Sequence, residues 1–233
     1  LSVFRLMVEK GNFGDVVILG VSGSDPGVAQ TFLDMGAASA TNLAVNASNA
    51  DDPSVYDQIS DADIVWMRGG DQWQYVSQWN GTQTEQAIQD VYNAGGVVGG
   101  TSAGCAVLGE VIYDAEVGSL TPRQALRDPD HPYLTLTDDF LGLTDNVLFD
   151  SHFTQRGRLG RLAVMIGRRK IDAGEEVLGI GVDDRTALCI SPDGTAEVRG
   201  SGAVTILSFT DQSQITLEDN DPPVLTYLHH VQL

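Results

Sequence analysis

The stretch Val97-Val98-Gly99-Gly100-Thr101-Ser102-Ala103-Gly104-Cys105-Ala106 decides the reading of this chain. A short apolar strand, Val97 to Gly100, runs into a turn at Ser102, and a helix is expected over Ala103 to Gly109. Glycines stand two positions before and two positions after the serine. A strand that turns sharply into a helix brings those two positions against each other, so both must be nearly free of side chain. The residue between them is held strained, with its hydroxyl presented outward. The helix N-terminus beneath Ser102 favours negative charge developing there. The pattern therefore predicts a nucleophile elbow.

Outward from the elbow, apolar runs alternate with helical patterns. Asp15 to Val21, Asp63 to Met67, Asn146 to Phe149 and Glu176 to Val182 read as strands, the first two apolar nearly throughout, as buried parallel strands are. A weaker strand is expected over Ala40 to Val45. Helices are expected over Leu1 to Lys10, Gln30 to Met35, Ser54 to Ile59, Trp73 to Trp79, Thr84 to Tyr92 and Arg156 to Ile171. Ser22 to Pro26 reads as a turn. Ala187 to Ile190, Thr195 to Val198 and Ala203 to Ser208 continue antiparallel around the turn Ser191-Pro192-Asp193-Gly194, and Val224 to Leu228 is a further strand candidate. Tyr113 to Thr144, broken by Pro122, Pro129 and Pro132, reads as a long irregular segment of the kind that serves as a lid or specificity loop. The expected fold class is α/β: a mostly parallel sheet with helices on both faces and antiparallel strands at the C-terminal edge. The expected organisation is one domain over 1–210, with 211–233 as an extension packed on it.

Composition narrows the chemistry. The chain has 233 residues, 42% hydrophobic, with 32 acidic against 13 basic residues and a net charge of −19. Nucleic acid is an unsuitable partner, since phosphate binding needs a basic surface. Such acidity fits a surface tuned for solubility or high salt. Cys105 and Cys189 make neither a disulfide framework nor a metal site and read as small core residues. No apolar run is long enough for a membrane helix.

In a parallel sheet, ligands gather beyond the carboxyl ends of the strands. Gly69-Gly70, Ser102, His152 and Asp183-Asp184 each follow directly on an expected strand, so the sequence predicts a shared site there. A serine needs a base, and of the four histidines only His152 stands just past a strand end. His131 lies in the proline-rich segment, and His229 and His230 near the C-terminus. Asp184 or Asp183 would hold the imidazole in its working tautomer. The backbone N–H of Ala103, with that of Gly70 or Asp71, would form the oxyanion hole. No His, Cys and Asp cluster has metal-ligand spacing, and no cofactor is required.

Four motifs in order, Gly69-Gly70-Asp71-Gln72, Gly100-Thr101-Ser102-Ala103-Gly104, Asp150-x-His152-Phe153-x-x-Arg156-x-Arg158-x-x-Arg161-Leu162 and Gly179-Ile180-Gly181-Val182-Asp183-Asp184-x-Thr186-Ala187, resemble the cyanophycinase branch of the cyanophycinase and dipeptidase E serine peptidase family. The resemblance runs from about Asp15 to Ser208. It implies a sheet like that of class I glutamine amidotransferases, and serine exopeptidase chemistry that releases β-Asp-Arg dipeptides from an arginine-bearing polyaspartate. It implies Ser102 as nucleophile, His152 as base and Asp184 in the place of a triad glutamate. It also implies Gln72, Asp150, Ser151, Arg156, Arg158 and Arg161 as substrate-binding residues, with Arg161 gripping an aspartyl carboxylate, and a homodimer. Two departures stand out: Ser151 replaces the glutamine of an Asp-Gln-His motif, and Asp184 is one methylene shorter than glutamate. The family begins with a strand and a glycine-rich turn, whereas Leu1 opens at the first helix, so an N-terminal strand is expected to be missing. A cytoplasmic location is the default, with secretion left open.

Two other readings stand beside this one. A serine esterase of the α/β-hydrolase type places its acid before the histidine, whereas the best acid here follows His152. A non-catalytic binding protein on the same scaffold has no need of an intact serine and histidine.

Overall fold

In the computed structural model, residues 2–216, 224–225 and 229–232 are described. The chain divides into two compact units, one of residues 1–108 and 139–143, the other of residues 109–138 and 144–233.

The first unit runs α1 (Val3–Lys10), β1 (Asp15–Gly20), α2 (Pro26–Asp34), β2 (Ser39–Ala44), α3 (Pro53–Ser60), β3 (Ile64–Met67), α4 (Gln72–Trp79), α5 (Gln83–Asn93), β4 (Val97–Gly100) and α6 (Ala103–Ala106). Its four strands form an all-parallel sheet in the order β2-β1-β3-β4. The central strands β1 and β3 are buried almost end to end, which is why both read as uninterrupted apolar runs. Phe4, Phe32 and Trp66 meet over one part of the core, the Phe4 and Phe32 rings edge to face at 5.0 Å.

Two expectations are corrected in this unit. The helix expected from Gln30 begins at Pro26. The Asp25 carboxylate accepts a hydrogen bond from the Val28 N–H at 3.0 Å, and Pro26 supplies a first-turn residue that needs no N–H partner. The expected turn over Ser22 to Pro26 thus contains the helix start. The elbow helix α6, expected to reach Gly109, ends at Ala106 after a single turn.

The second unit runs β5 (Gly109–Tyr113), α7 (Pro122–Arg127), β6 (Leu136–Thr137), β7 (Thr144–Ser151), a 3-10 turn (Thr154–Arg156), α8 (Leu159–Ala173), β8 (Leu178–Val182), β9 (Thr186–Ile190), β10 (Ala196–Gly200), β11 (Val204–Ser208), β12 (Ile215–Thr216), β13 (Val224–Leu225) and β14 (His229–Gln232). Six strands form a sheet in the order β14-β11-β8-β7-β5-β6. The pairs β5–β7 and β7–β8 are parallel, while β6, β11 and β14 join antiparallel. The antiparallel strands expected late in the chain are present: β9 and β10 form a hairpin, and β11 flanks β8. Of the strand expected over Val224 to Leu228, β13 covers Val224–Leu225, and residues 226–228 lie outside the described residues.

Gly109 opens β5 because a side chain there would lie 2.4 Å from the Val147 carbonyl oxygen. Only a glycine lets β5 lie against β7 at that point. The segment read as irregular, Tyr113 to Thr144, contains α7, whose start carries a full capping box between Thr121 and Gln124. Pro122 is therefore the first residue of a helix and not a breaker. Helix α8 buries Leu162 to Ile166, and a Cβ on Gly179 of β8 would stand 3.1 Å from the Leu162 and Ile166 side chains, so the helix approaches its strand closely.

Candidate active site

The geometry around Ser102 follows from two glycines. The serine has φ 55° and ψ −113°, a backbone conformation that L-residues rarely occupy. A Cβ on Gly100 would stand 2.4 Å from the Gly104 carbonyl oxygen, and a Cβ on Gly104 would stand 2.3 Å from the Met67 carbonyl oxygen. Any side chain at either place would push α6 away from β3 and β4 and relax the turn. Ala103, buried behind the serine, opens α6. Gly69 faces the turn: its Cβ position is 3.2 Å from Ser102 Cβ and 3.8 Å from Ser102 Oγ. In the first unit, then, the glycine turn after β3 and the serine turn after β4 are neighbours.

Gly70 is exposed beside it, and the Asp71 carboxylate caps α4 by accepting from the Trp73 N–H at 3.1 Å. Gln72 is the first residue of α4 and half-buried. Arg68 was not singled out in the sequence. Its guanidinium lies across Gly20 and donates to the Ser22 and Gly23 carbonyls, at 2.5 and 3.3 Å, which ties the β1 turn to the β3 turn. An arginine directly before the glycine pair at a strand end was the available signal.

In the second unit, His152 follows β7 with φ 50°. Its Nδ1 lies 2.5 Å from Asp184 Oδ1, so the acid next to the imidazole is Asp184 and not Asp183. Asp183 is engaged elsewhere. Its carboxylate accepts from the Thr154 N–H at 2.9 Å and the Ala203 N–H at 3.1 Å. Burial pushes the Asp183 carboxyl up, but hydrogen bonds from Thr154, Ala203 and Gln155 outweigh it and hold the group below the usual aspartate value. Gly181 admits Phe153, whose ring would overlap any side chain there. The Gly-Ile-Gly-Val-Asp-Asp motif thus combines two close approaches with two differently employed carboxylates.

The resemblance implies that Arg161 grips a substrate carboxylate; the carboxylate it grips in the structure is that of Asp150. Arg161 Nε and Nη2 donate to Asp150 Oδ2 and Oδ1 at 2.8 and 2.6 Å, and Nη1 donates to the Leu120 carbonyl at 2.7 Å. Arg161 is 2% exposed and Asp150 3%. Arg158, just before α8, adds Nη1 bonds to Asp150 Oδ1 at 3.1 Å and to the Ser151 carbonyl at 2.6 Å. Burial brings the Arg158 pKa down to about 10, with Asp150 opposing the shift. Asp150, Arg158 and Arg161 are therefore bound to one another inside the second unit. Ser151 ends β7 and is buried, whereas Arg156 is exposed. His131 lies apart, with Nδ1 accepting from the Tyr133 N–H at 3.1 Å.

Among the described residues, no group of three or more His, Cys, Asp and Glu side chains is placed to hold a metal ion. No helix among them is long and apolar enough to cross a membrane.

The fold is α/β, with a strained serine elbow on a parallel sheet in the first unit and a histidine paired to an aspartate in the second. The chain is similar to a crystal structure of a peptidase from an acI-B1 Actinobacterium, with TM-score 0.64 and 20% identity over 95% of this chain and 89% of that one. It is also similar to a putative peptidase E protein from Listeria monocytogenes EGD-e, with TM-score 0.53 and 15% identity over 86% of this chain and 94% of that one. The model of peptidase family S51 matches residues 26–198, and the chain belongs to that family. It is 32% identical over 184 residues to a cyanophycinase of Synechococcus elongatus, covering 78% of this chain and 53% of that protein. It is 30% identical over 195 residues to a cyanophycinase of Geminocystis herdmanii, covering 81% and 67%. The chain thus spans about half to two thirds of the length of these curated relatives.

Proposed function

We propose that this chain is a serine-type peptidase, with Ser102 as nucleophile, His152 as general base and Asp184 as the group that orients the imidazole. The observation that carries this reading is the strained Ser102 backbone between Gly100 and Gly104, whose close approaches leave no room for any other residue type. Such strain on a non-glycine residue costs on the order of 1–3 kcal/mol and persists where the surroundings over-determine it, most often at functional sites. In the proposed reaction His152 Nε2 takes the Ser102 Oγ proton as Oγ attacks the scissile carbonyl. The N–H groups of Ala103 and of Gly70 or Asp71 receive the oxyanion. The protonated imidazole gives its proton to the leaving amine, and water then hydrolyses the acyl-enzyme. Asp184 on Nδ1 leaves Nε2 as the working nitrogen.

For substrate we propose aspartyl-containing peptides, such as a β-Asp-Arg polymer or isoaspartyl dipeptides. Membership of family S51 and identity to proteins named cyanophycinase support this class. Gln72, Asp150, Ser151, Arg156, Arg158 and Arg161 are the residues proposed for binding, with Asp150 held between Arg158 and Arg161. A guanidinium fork suits a substrate carboxylate. A fluorophosphonate tests the chemistry: it is expected to label Ser102 in wild type and to leave Ser102→Ala unlabelled. An unlabelled wild type would sink the hydrolase reading. Incubation with cyanophycin and with isoaspartyl dipeptides, followed by release of free amines, tests the substrate class, and cleavage of neither overturns it.

A further inference from the structure

The loop that carries His152 and the loop that carries Asp184 are joined by more than their own contact. Phe153 N–H donates to the Val182 carbonyl at 3.2 Å, Thr154 N–H to Asp183 Oδ1 at 2.9 Å, and Asp184 N–H to the Gln155 side-chain oxygen at 3.0 Å. The Gln155 side chain stands beside the Asp183 carboxylate and helps hold that carboxyl below the usual aspartate value. On its far side Asp183 is fixed to Ala203, the residue before β11, its N–H donating to the Ala203 carbonyl and its Oδ2 accepting from the Ala203 N–H, both at 3.1 Å. The Asp184 carbonyl accepts from Thr186 Oγ1 at 3.2 Å. Every one of these groups lies in the second unit.

We infer that Gln155 is a positioning residue: its side-chain oxygen accepts the Asp184 N–H and ties the Asp184 backbone to the loop that carries His152, and so fixes where Asp184 meets His152. The chemistry at this position calls for an amide. The oxygen is needed to accept the Asp184 N–H, and the NH2 group is needed to face a carboxylate. A glutamate there would set two carboxylates against each other. An apolar side chain would leave the Asp184 N–H without its side-chain acceptor. Asp184 is short and His152 is held at positive φ, so neither can follow the other if one loop drifts. Gln155 is exposed, so its replacement leaves the core untouched. This inference rests on the peptidase reading only for its kinetic consequence.

The test uses Gln155→Met, which keeps the length of the side chain and removes both polar groups, with Asp183→Asn as a second variant. Two readouts are taken: the second-order rate of Ser102 labelling by a fluorophosphonate, and the low-field proton NMR resonance of His152 Nδ1–H, assigned by its loss in His152→Ala. The expected result is a labelling rate lowered by about tenfold or more, as displacement of a catalytic group costs. With it, the Nδ1 resonance shifts or broadens and the far-UV circular dichroism is unchanged. Asp183→Asn is expected to move both readouts in the same direction. An unaltered His152 resonance together with wild-type labelling in Gln155→Met overturns the assignment while leaving the peptidase reading in place. If the wild type is not labelled at all, the peptidase reading falls, and the His152 resonance alone decides whether Gln155 positions the pair.

Discussion

Oδ1 of Asp184 lies 2.5 Å from Nδ1 of His152, the one imidazole nitrogen that a serine hydrolase does not use for proton transfer. The contact joins a residue just past β7 to one just past β8, two parallel strands in direct register, with Ser151 opposite Val182. The pair is thus set by strand pairing as much as by side-chain choice. Asp184→Asn keeps the size of the group but favours the wrong tautomer, and kcat is expected to fall by about 10⁴. Stopped-time hydrolysis of an activated ester, with thermal melting as a control for folding, checks this. Activity within tenfold of wild type would remove Asp184 from the proposed machinery.

Ser102 is the residue at which activity and stability are expected to oppose each other. Both Ser102→Ala and Ser102→Gly remove the hydroxyl, so both should be inactive. They differ in backbone freedom. At φ 55° alanine keeps the strain and glycine releases it, so the glycine variant is expected to be more stable than the alanine variant by about 1 kcal/mol. Gly100→Ala and Gly104→Ala should go the other way, each destabilising by about 1–3 kcal/mol, because the added methyl meets backbone carbonyls that cannot move aside. Chemical denaturation midpoints of the four variants check the ordering.

Much of this geometry was readable because it depends on local rules. A buried parallel strand must be apolar along its length, and a sharp strand-to-helix turn must have glycines two residues to either side. β1, β3 and the elbow therefore declared themselves in the sequence. The start of α2 was missed because Asp25-Pro26 suits a turn as well as a helix cap, and only the Val28 N–H bond separates the two. β5 was missed because Gly109 looks like a helix stop until β7 is seen lying against it. The partners of Arg158 and Arg161 were beyond reach for a different reason. Their i, i+3 spacing at the entry to α8 puts them on one side, but whether that side meets water, substrate or a buried carboxylate depends on where β7 brings Asp150. The choice between Asp183 and Asp184 is equally a matter of side-chain direction: Asp183 turns to the Thr154 and Ala203 N–H groups and Asp184 to His152.

The cluster of Asp150, Arg158 and Arg161 leads to a prediction that separates a structural role from substrate binding. Asp150→Asn leaves two buried guanidinium groups without their carboxylate, and such a loss costs about 3–5 kcal/mol. The variant is expected to express poorly and to melt well below wild type. Replacing Asp150 and Arg161 together, by Asn and Met, should recover part of that loss, because the second substitution removes one of the orphaned charges. A direct substrate-binding role would instead raise KM in Asp150→Asn at unchanged melting temperature.

Asp183 sets a pH limit whose sign can be worked out. Its folded pKa is held below the usual aspartate value of 3.8, while in the unfolded chain it returns to that value. The unfolded state therefore binds the proton more readily. The stabilisation is fully present above the unfolded pKa and is lost as pH falls through the lower, folded one. Wild type is thus expected to lose stability below about pH 4 in part because protonated Asp183 can no longer accept from both the Thr154 and Ala203 N–H groups. Asp183→Asn cannot titrate. It should be less stable than wild type at neutral pH, and the gap should narrow as pH is lowered. Urea denaturation of the two proteins at neutral and acid pH checks this. A gap that stays constant over that range would mean that the Asp183 charge does not hold the His152 loop to β11, and that the contact acts through shape alone.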